Sequence, residues 1–299
     1  MKTITQFLSD IKEGDYLSLA RVLTLVENEL PGSEELLRDI HIGQQVPVIG
    51  ITGPPGAGKS TLVNSIIGKL SLQQKKIAIL AVDPTSPFNF GSLLGDRVRM
   101  SAHFNNPNVF IRSVATRGSV GGLSARVIEM VDILRSANFD YIFVETVGVG
   151  QSEIEIAGLA DITLVVLVPE GGDEIQHIKS GLMEIGDAFI VNKADREGAD
   201  SFANQLKKML HQRPHPIPVF KTVADKQSGV EELLSWIMAA EFHENERKLF
   251  LYTEKAYKII QNNRMRDVSK VDLQQHIAAA FSVKDFNLYR FIAGYEKNN

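Results

Sequence analysis

The run Val48-Ile49-Gly50-Ile51-Thr52-Gly53-Pro54-Pro55-Gly56-Ala57-Gly58-Lys59-Ser60 decides the fold. Its first five residues are a short apolar stretch of strand length, entered through Pro47, where a missing N–H is tolerated at a strand mouth. Beyond it Leu62, Ile66 and Leu70 recur at helical spacing. A glycine-rich turn between a buried strand and a helix, closing on Gly-Lys-Ser, is built to hold phosphate. The glycines let backbone N–H groups face an anion at the helix N-terminus, Lys59 adds a cation for the β- and γ-phosphates, and the Ser60 hydroxyl can ligate Mg²⁺. Gly53, Pro54, Pro55, Gly56, Ala57, Gly58, Lys59 and Ser60 are therefore the expected phosphate-binding loop.

On both sides of this loop, from about residue 46 to residue 240, short apolar runs alternate with helical periodicity, the signature of an α/β domain with a largely parallel sheet. Expected strands after the first are Lys76 to Asp83, Val109 to Val114, Tyr141 to Glu145, Thr163 to Val168, Ala188 to Asn192 and Val219 to Thr222. Several are continuously apolar, as burial on both faces requires. A further stripe, Val127, Met130, Val131 and Leu134, is expected to pack on the sheet. Residues 1–45 read as a helical lead-in, with Leu19, Val22, Leu23 and Val26 on one stripe and Pro31-Gly32-Ser33 as its break. Residues 241–299 read as a helical arm, with one stripe of Leu249, Tyr252, Ala256, Ile259 and Ile260 and another of Leu273, Ile277, Ala280 and Phe281. These stripes are more apolar than a solvated tail needs, so a homodimer through the arm is expected, or else packing of the arm on the chain's own α/β domain.

The 299 residues are 44% hydrophobic and supply a real core. Thirty-two basic and 36 acidic residues leave a net charge of −4, with no overall basic field for nucleic acid or anionic lipid. The absence of cysteine removes disulfides, thiolate ligands, Fe–S clusters and cysteine nucleophiles, and fits a reducing compartment. The longest apolar run, Ile77 to Val82, is far short of a membrane span, and the first ten residues do not resemble a leader. A cytoplasmic protein without nucleic-acid or membrane partners is expected.

The sixth strand ends in Asn192-Lys193-Ala194-Asp195. A carboxylate there can accept both N1–H and the exocyclic amine of guanine, a donor pair that adenine lacks, so GTP and GDP are the expected ligands. Val223-Ala224, past the last strand, can close over the base through backbone N–H groups, or is an ordinary strand end. Two further strand ends are acidic. Asp83 can reach the water shell of Mg²⁺, or simply starts a turn before Pro84. Glu145 falls near the expected γ-phosphate as a water-positioner or base, or only orders its turn, and Gly148 frees the backbone after it. Arg117 is either an arginine finger in cis or a loop-ordering residue. His211 and His215 have metal-like spacing, but Pro214 and Pro216 break any helix between them, and a plain loop is expected.

Taken together these residues resemble the signal-recognition-type GTPases, and within them the ArgK/MeaB family, chaperones of adenosylcobalamin-dependent methylmalonyl-CoA mutase. The resemblance rests on Leu25-Val26-Glu27-Asn28, Gly53 to Thr61, Val82-Asp83-Pro84-Thr85-Ser86-Pro87, Gly91-Ser92, Leu94-Gly95-Asp96-Arg97, Gly121-Gly122-Leu123, Glu145 to Glu153 and Asn192 to Asp195. It implies a P-loop GTPase that gates cofactor delivery to the mutase and protects it, usually as a dimer. It adds Thr61 to the nucleotide loop, places Asp83 and Asp96 with Ser60 around Mg²⁺, and assigns three switches. The first covers Pro87 to Asp96 and the second Glu145 to Glu153. The third covers Pro169 to Lys179, where Gly172-Asp173-Glu174 and Lys179 match, which puts Lys179 with Lys59 and Glu145 among the candidate catalytic residues; without the resemblance, Asp173 and Lys179 read simply as solvated charges. The chain departs from the family at Phe88-Asn89-Phe90, less polar than the pattern, and at Val223-Ala224, where the family usually has Ser-Ala. Three other readings share parts of this pattern: a kinase linked to arginine and ornithine transport, a nickel-inserting GTPase, whose usual His- or Cys-rich segments are missing here, and a non-catalytic nucleotide-binding module.

Overall fold

A computed structural model describes residues 2–42, 46–83, 100–115, 126–146, 152–169, 180–211, 213, 215–241, 246–282 and 286–298. Seven strands, β1 (Val48–Thr52), β2 (Ile77–Asp83), β3 (Val109–Ala115), β4 (Tyr141–Glu145), β5 (Ile162–Leu167), β6 (Ala188–Asn192) and β7 (Val219–Thr222), form one sheet in the order β3-β2-β4-β1-β5-β6-β7. Every pairing is parallel, so the expectation of a largely parallel sheet is met in full. All expected strands form, within a residue at each end.

Both faces of the sheet are covered, which is why the strands read as unbroken apolar runs rather than alternating ones. Along β5, Leu164 and Val166 enter one core with Leu62, Ile66 and Leu70 of helix α4 (Lys59–Leu72) and Leu233 and Ile237 of the helix Val230–Ala239. Val165 and Leu167 point to the opposite face, packing with Phe189 and Val191 of β6 and with Phe202 and Leu206 of the helix Ala199–Leu210. Val127, Met130, Val131 and Leu134 are buried on the helix Val127–Ser136, as their spacing requires.

The chain divides into two compact units, residues 1–249 and 250–299. The first includes three N-terminal helices, Ile4–Glu13, Tyr16–Glu27 and Ser33–Asp39. Thr3 and Gln6 form a capping box on the first, Gly14 ends it in a left-handed conformation, and Asp15 caps the second. Leu19, Val22, Leu23 and Val26 are buried, and Glu27 pairs with Arg112 of β3, tying the second helix to the sheet edge. The second unit holds the helices Lys270–Phe281 and Leu288–Asn298, joined by ring contacts running from Phe281 through Phe286 and Phe291 to Tyr295. Within that unit Phe250, Ile260, Val271, Phe281 and Tyr289 are exposed.

Topology alone points to where a ligand would sit. The chain leaves β1 for β2 and β3 on one side, and later crosses to β5, β6 and β7 on the other. The strand order therefore reverses beside β1, and the crevice at the carboxyl ends of the strands flanking such a switch point is the usual binding place in open α/β sheets. The loop 53–58 emerges there.

Candidate functional site

The loop from Gly53 to Gly58 is shaped by contacts that leave no room for side chains at two positions. Gly53 has φ 136°, and a Cβ there would lie 2.0 Å from the carbonyl oxygen of Val166 on β5. Gly58, with φ 85°, caps α4, and its Cβ would lie 2.4 Å from Asn192 Nδ2. Lys59 opens the helix, almost fully buried, and donates to the carbonyls of Gly53 (2.8 Å) and Pro54 (3.1 Å). Its stem thus runs back along the loop. Ser60, the next residue, donates through Oγ to Glu145 Oε1 at 2.7 Å. Both are buried, and the positive end of the α4 dipole lies beneath them. The neighbouring Thr146 hydroxyl donates to Thr52 Oγ1 at 3.0 Å, locking the ends of β4 and β1 side by side.

Asn192 joins the loop to the second motif. Its Nδ2 donates to the carbonyl of Ala57 at 2.9 Å, and its Oδ1 accepts from Thr222 Oγ1 at 3.0 Å and from the Ala224 backbone N–H at 3.2 Å. One buried amide therefore spans three segments far apart in sequence. Lys193, at φ 55°, donates to the carbonyl of Gly56 at 2.9 Å. Ala224 opens a short 3-10 turn, Ala224–Lys226, whose first carbonyl accepts from Ser65 Oγ of α4 at 2.6 Å. Asp195 accepts from Lys226 Nζ at 2.7 Å, and this bond holds its carboxyl below the ordinary carboxylate range.

The structure thus brings Gly53, Gly56, Ala57, Gly58, Lys59, Ser60, Glu145, Asn192, Lys193, Asp195 and Ala224 into one group at the carboxyl ends of β1, β4, β6 and β7, Asp195 joining it through Lys226 of the Ala224 turn. Of Asp83 only the backbone is described, at the end of β2. Asp96, Arg117, Gly121-Gly122-Leu123, Gly148, Gly172-Asp173-Glu174 and Lys179 lie outside the described residues. Ser65, Thr222 and Lys226 belong to the group although no motif singles them out.

The donor set suits a hard cation. The Ser60 hydroxyl and the Glu145 carboxylate beside it offer hard oxygen donors, and Mg²⁺ in phosphate sites takes one or two protein oxygens, filling its shell with phosphate and water. Among the described residues no group of three or more His, Asp or Glu side chains gathers into a cage of its own, and no helix is long and apolar enough to cross a membrane.

Residues 19–281 match the family model described as methylmalonyl-CoA mutase-associated GTPase MeaB. A Pyrococcus horikoshii protein provisionally named a GTPase is 43% identical over 274 residues, 89% of this chain and 84% of its own. GTPase ArgK of Escherichia coli is 37% identical over 207 residues, 67% of this chain and 62% of its own. A Geobacillus kaustophilus protein named fused isobutyryl-CoA mutase is 34% identical over 242 residues, which make up 75% of this chain but 22% of that one. Among solved structures, one described as an LAO/AO transport system kinase superposes with a TM-score of 0.68, covering 99% of this chain and 97% of that one. At 24% identity this last likeness speaks for the fold alone.

Proposed function

This chain belongs to the MeaB family of methylmalonyl-CoA mutase-associated GTPases, and we propose that it hydrolyses GTP to gate adenosylcobalamin delivery to, and protection of, an acyl-CoA mutase, with methylmalonyl-CoA mutase the partner of first choice. The observation that carries the nucleotide part of this reading is the Asn192 amide, which ties the loop at Ala57 to the turn at Ala224. A phosphate site and a base site at a fixed distance suit one nucleotide.

In this reading the amides from Gly53 to Thr61, with Pro54 and Pro55 shaping the turn, cradle the phosphates, and Lys59 swings from its carbonyl partners to the β- and γ-phosphates. Asp195 takes the guanine donor pair, with Lys193 and Val223-Ala224 bounding the base. Hydrolysis forms a bond from water oxygen to the γ-phosphorus and breaks the bridge to the β-phosphate, giving GDP and phosphate. This demands orientation and charge stabilisation more than covalent chemistry. Ser60, Asp83 and Asp96 are the residues that would hold Mg²⁺, which when bound would supply positive charge against the phosphates. Glu145, accepting the Ser60 proton, sits on the metal side of the loop, which favours orienting the metal shell and its water over acting as a free base. Lys179 is assigned to the third switch, where it would carry stimulation by the mutase.

The mutase assignment is supported by the family description and by the relative whose matching segment lies within a protein named a fused isobutyryl-CoA mutase. A homodimer through the arm is supported by the exposed Leu249, Phe250, Ile260 and Phe281. Retention of the mutase from native lysate tests the partner, using immobilised full-length protein loaded with GDP or with a non-hydrolysable GTP analogue. Retention that depends on the nucleotide is expected. Identical or absent retention would count against the chaperone role.

A further inference from the structure

Lys226 holds a place that the nucleotide reading leaves unassigned. Its Nζ lies 2.7 Å from Asp195 Oδ2. The backbone beneath it is rigidly built. Lys226 closes the turn Ala224–Lys226, whose first N–H binds Asn192 and whose first carbonyl accepts from Ser65. The turn is shut behind it by backbone bonds exchanged between Val223 and Ser228, and by Gly229, where a Cβ would lie 2.0 Å from the Lys221 carbonyl oxygen. The residues that set Asn192 against the phosphate loop therefore also aim Lys226 at Asp195.

We propose that Lys226 competes with the guanine base for the Asp195 carboxylate, and so acts as a positioning residue that weakens nucleotide binding and speeds nucleotide release. The inference rests on the assignment of Asp195 to guanine. Guanine offers one donor to each carboxylate oxygen, and Oδ2 already accepts an ammonium proton. Both bonds gain from the ionised carboxylate, but the ammonium brings a full positive charge that a guanine N–H lacks, so the base must displace the ammonium or share a weakened acceptor. The contest is moderated by water, because the side chains are 43% and 65% exposed for Asp195 and Lys226. The two groups favour each other's charged forms: the mutual hydrogen bond is the chief reason that the Asp195 carboxyl lies low and the Lys226 ammonium lies high. A lysine poised this way keeps product GDP from becoming a trap, so the site can cycle.

The test compares full-length wild type, Lys226→Met, Lys226→Arg, Asp195→Asn and the Lys226→Met/Asp195→Asn pair, measuring affinity by calorimetry and dissociation by stopped flow. Lys226→Met keeps the aliphatic stem and should bind GDP and GTP about two- to five-fold tighter, through slower dissociation. Lys226→Arg should restore wild-type behaviour. In the Asp195→Asn background, read with xanthosine diphosphate, Lys226→Met should change nothing. Unchanged or weaker GDP binding by Lys226→Met, or an equal gain in the Asp195→Asn background, would overturn the competition. Wild-type protein that binds GDP and ADP alike would overturn the base assignment itself, and the competition with it.

Discussion

Ser60 Oγ and Glu145 Oε1 share a 2.7 Å hydrogen bond between buried side chains that stand 85 residues apart in sequence. The bond links the first turn of α4 to the end of β4, so the carboxylate is anchored at the foot of the phosphate loop. A buried carboxylate needs such a partner, because its charge is costly without one. Glu145→Gln keeps an oxygen to accept from Ser60 and removes the charge. Hydrolysis should fall by on the order of 10²-fold, the cost of a misplaced reacting group, while GDP still binds. Single-turnover phosphate release across a Mg²⁺ titration is the check. Partial rescue at high Mg²⁺ places Glu145 with the metal, and a rate that no Mg²⁺ concentration restores would assign it instead to proton transfer.

Gly53→Ala should destabilise the protein, since a methyl group would meet the Val166 carbonyl oxygen at 2.0 Å on a backbone at φ 136°. Strain of this kind costs on the order of 1–3 kcal/mol, and each kcal/mol lowers Tm by about 2–4 °C in a chain of this size. A variant melting with the wild type would contradict the loop conformation.

Asn192→Ala should lower stability even without nucleotide, because it strands Ala57 O, Thr222 Oγ1 and the Ala224 N–H together. Stranding a buried polar group costs about 1–3 kcal/mol. Denaturant unfolding of the nucleotide-free protein measures it, and unchanged stability would show that the amide is not a structural link.

Much of this was legible in the sequence, and what was not has a physical reason. The strands show because each is a short apolar run; Leu164-Val165-Val166-Leu167 reads as continuous because alternate residues serve opposite faces. The β5 boundary shifts by one residue, to Ile162–Leu167, because the pairing with β6 ends at Leu167 and leaves Val168 half-buried beyond it. The phosphate loop and Asn192 to Asp195 show because their chemistry is packed into consecutive residues. Ser65, Thr222 and Lys226 do not, since each acts on a partner 159, 30 or 31 residues away and a single hydroxyl or ammonium carries no periodic signal.

Asp187, between the helix Ser180–Ile185 and β6, has its carboxyl pushed above the ordinary range by burial, against opposing pulls from the Thr163 N–H and Arg247. The folded state then binds this proton more tightly than the unfolded chain. The contribution is fully favourable below the unfolded value, about 3.9, and is lost as pH rises through the higher folded value. Asp187→Asn still accepts from Thr163 and carries no charge. It should melt at or above the wild-type temperature at pH 7 and show a weaker fall in Tm between pH 4 and pH 7. A lower Tm at pH 7 would contradict this.

The exposed arm residues predict a dimer in solution. Light scattering of the full-length protein should report two copies, and the pair Ile260→Asp and Phe281→Asp should report one, because both side chains are exposed within their own chain. A monomeric wild type would end that assignment.

Mutase-coupled GTP hydrolysis is tested by steady-state phosphate release from the full-length protein, with GTP or ATP, with and without methylmalonyl-CoA mutase. Slow release from GTP alone, none of note from ATP, acceleration by the mutase, and loss of both rates in Lys59→Ala are expected. Equal release from the two nucleotides, or release from GTP no faster than that of Lys59→Ala, would contradict it.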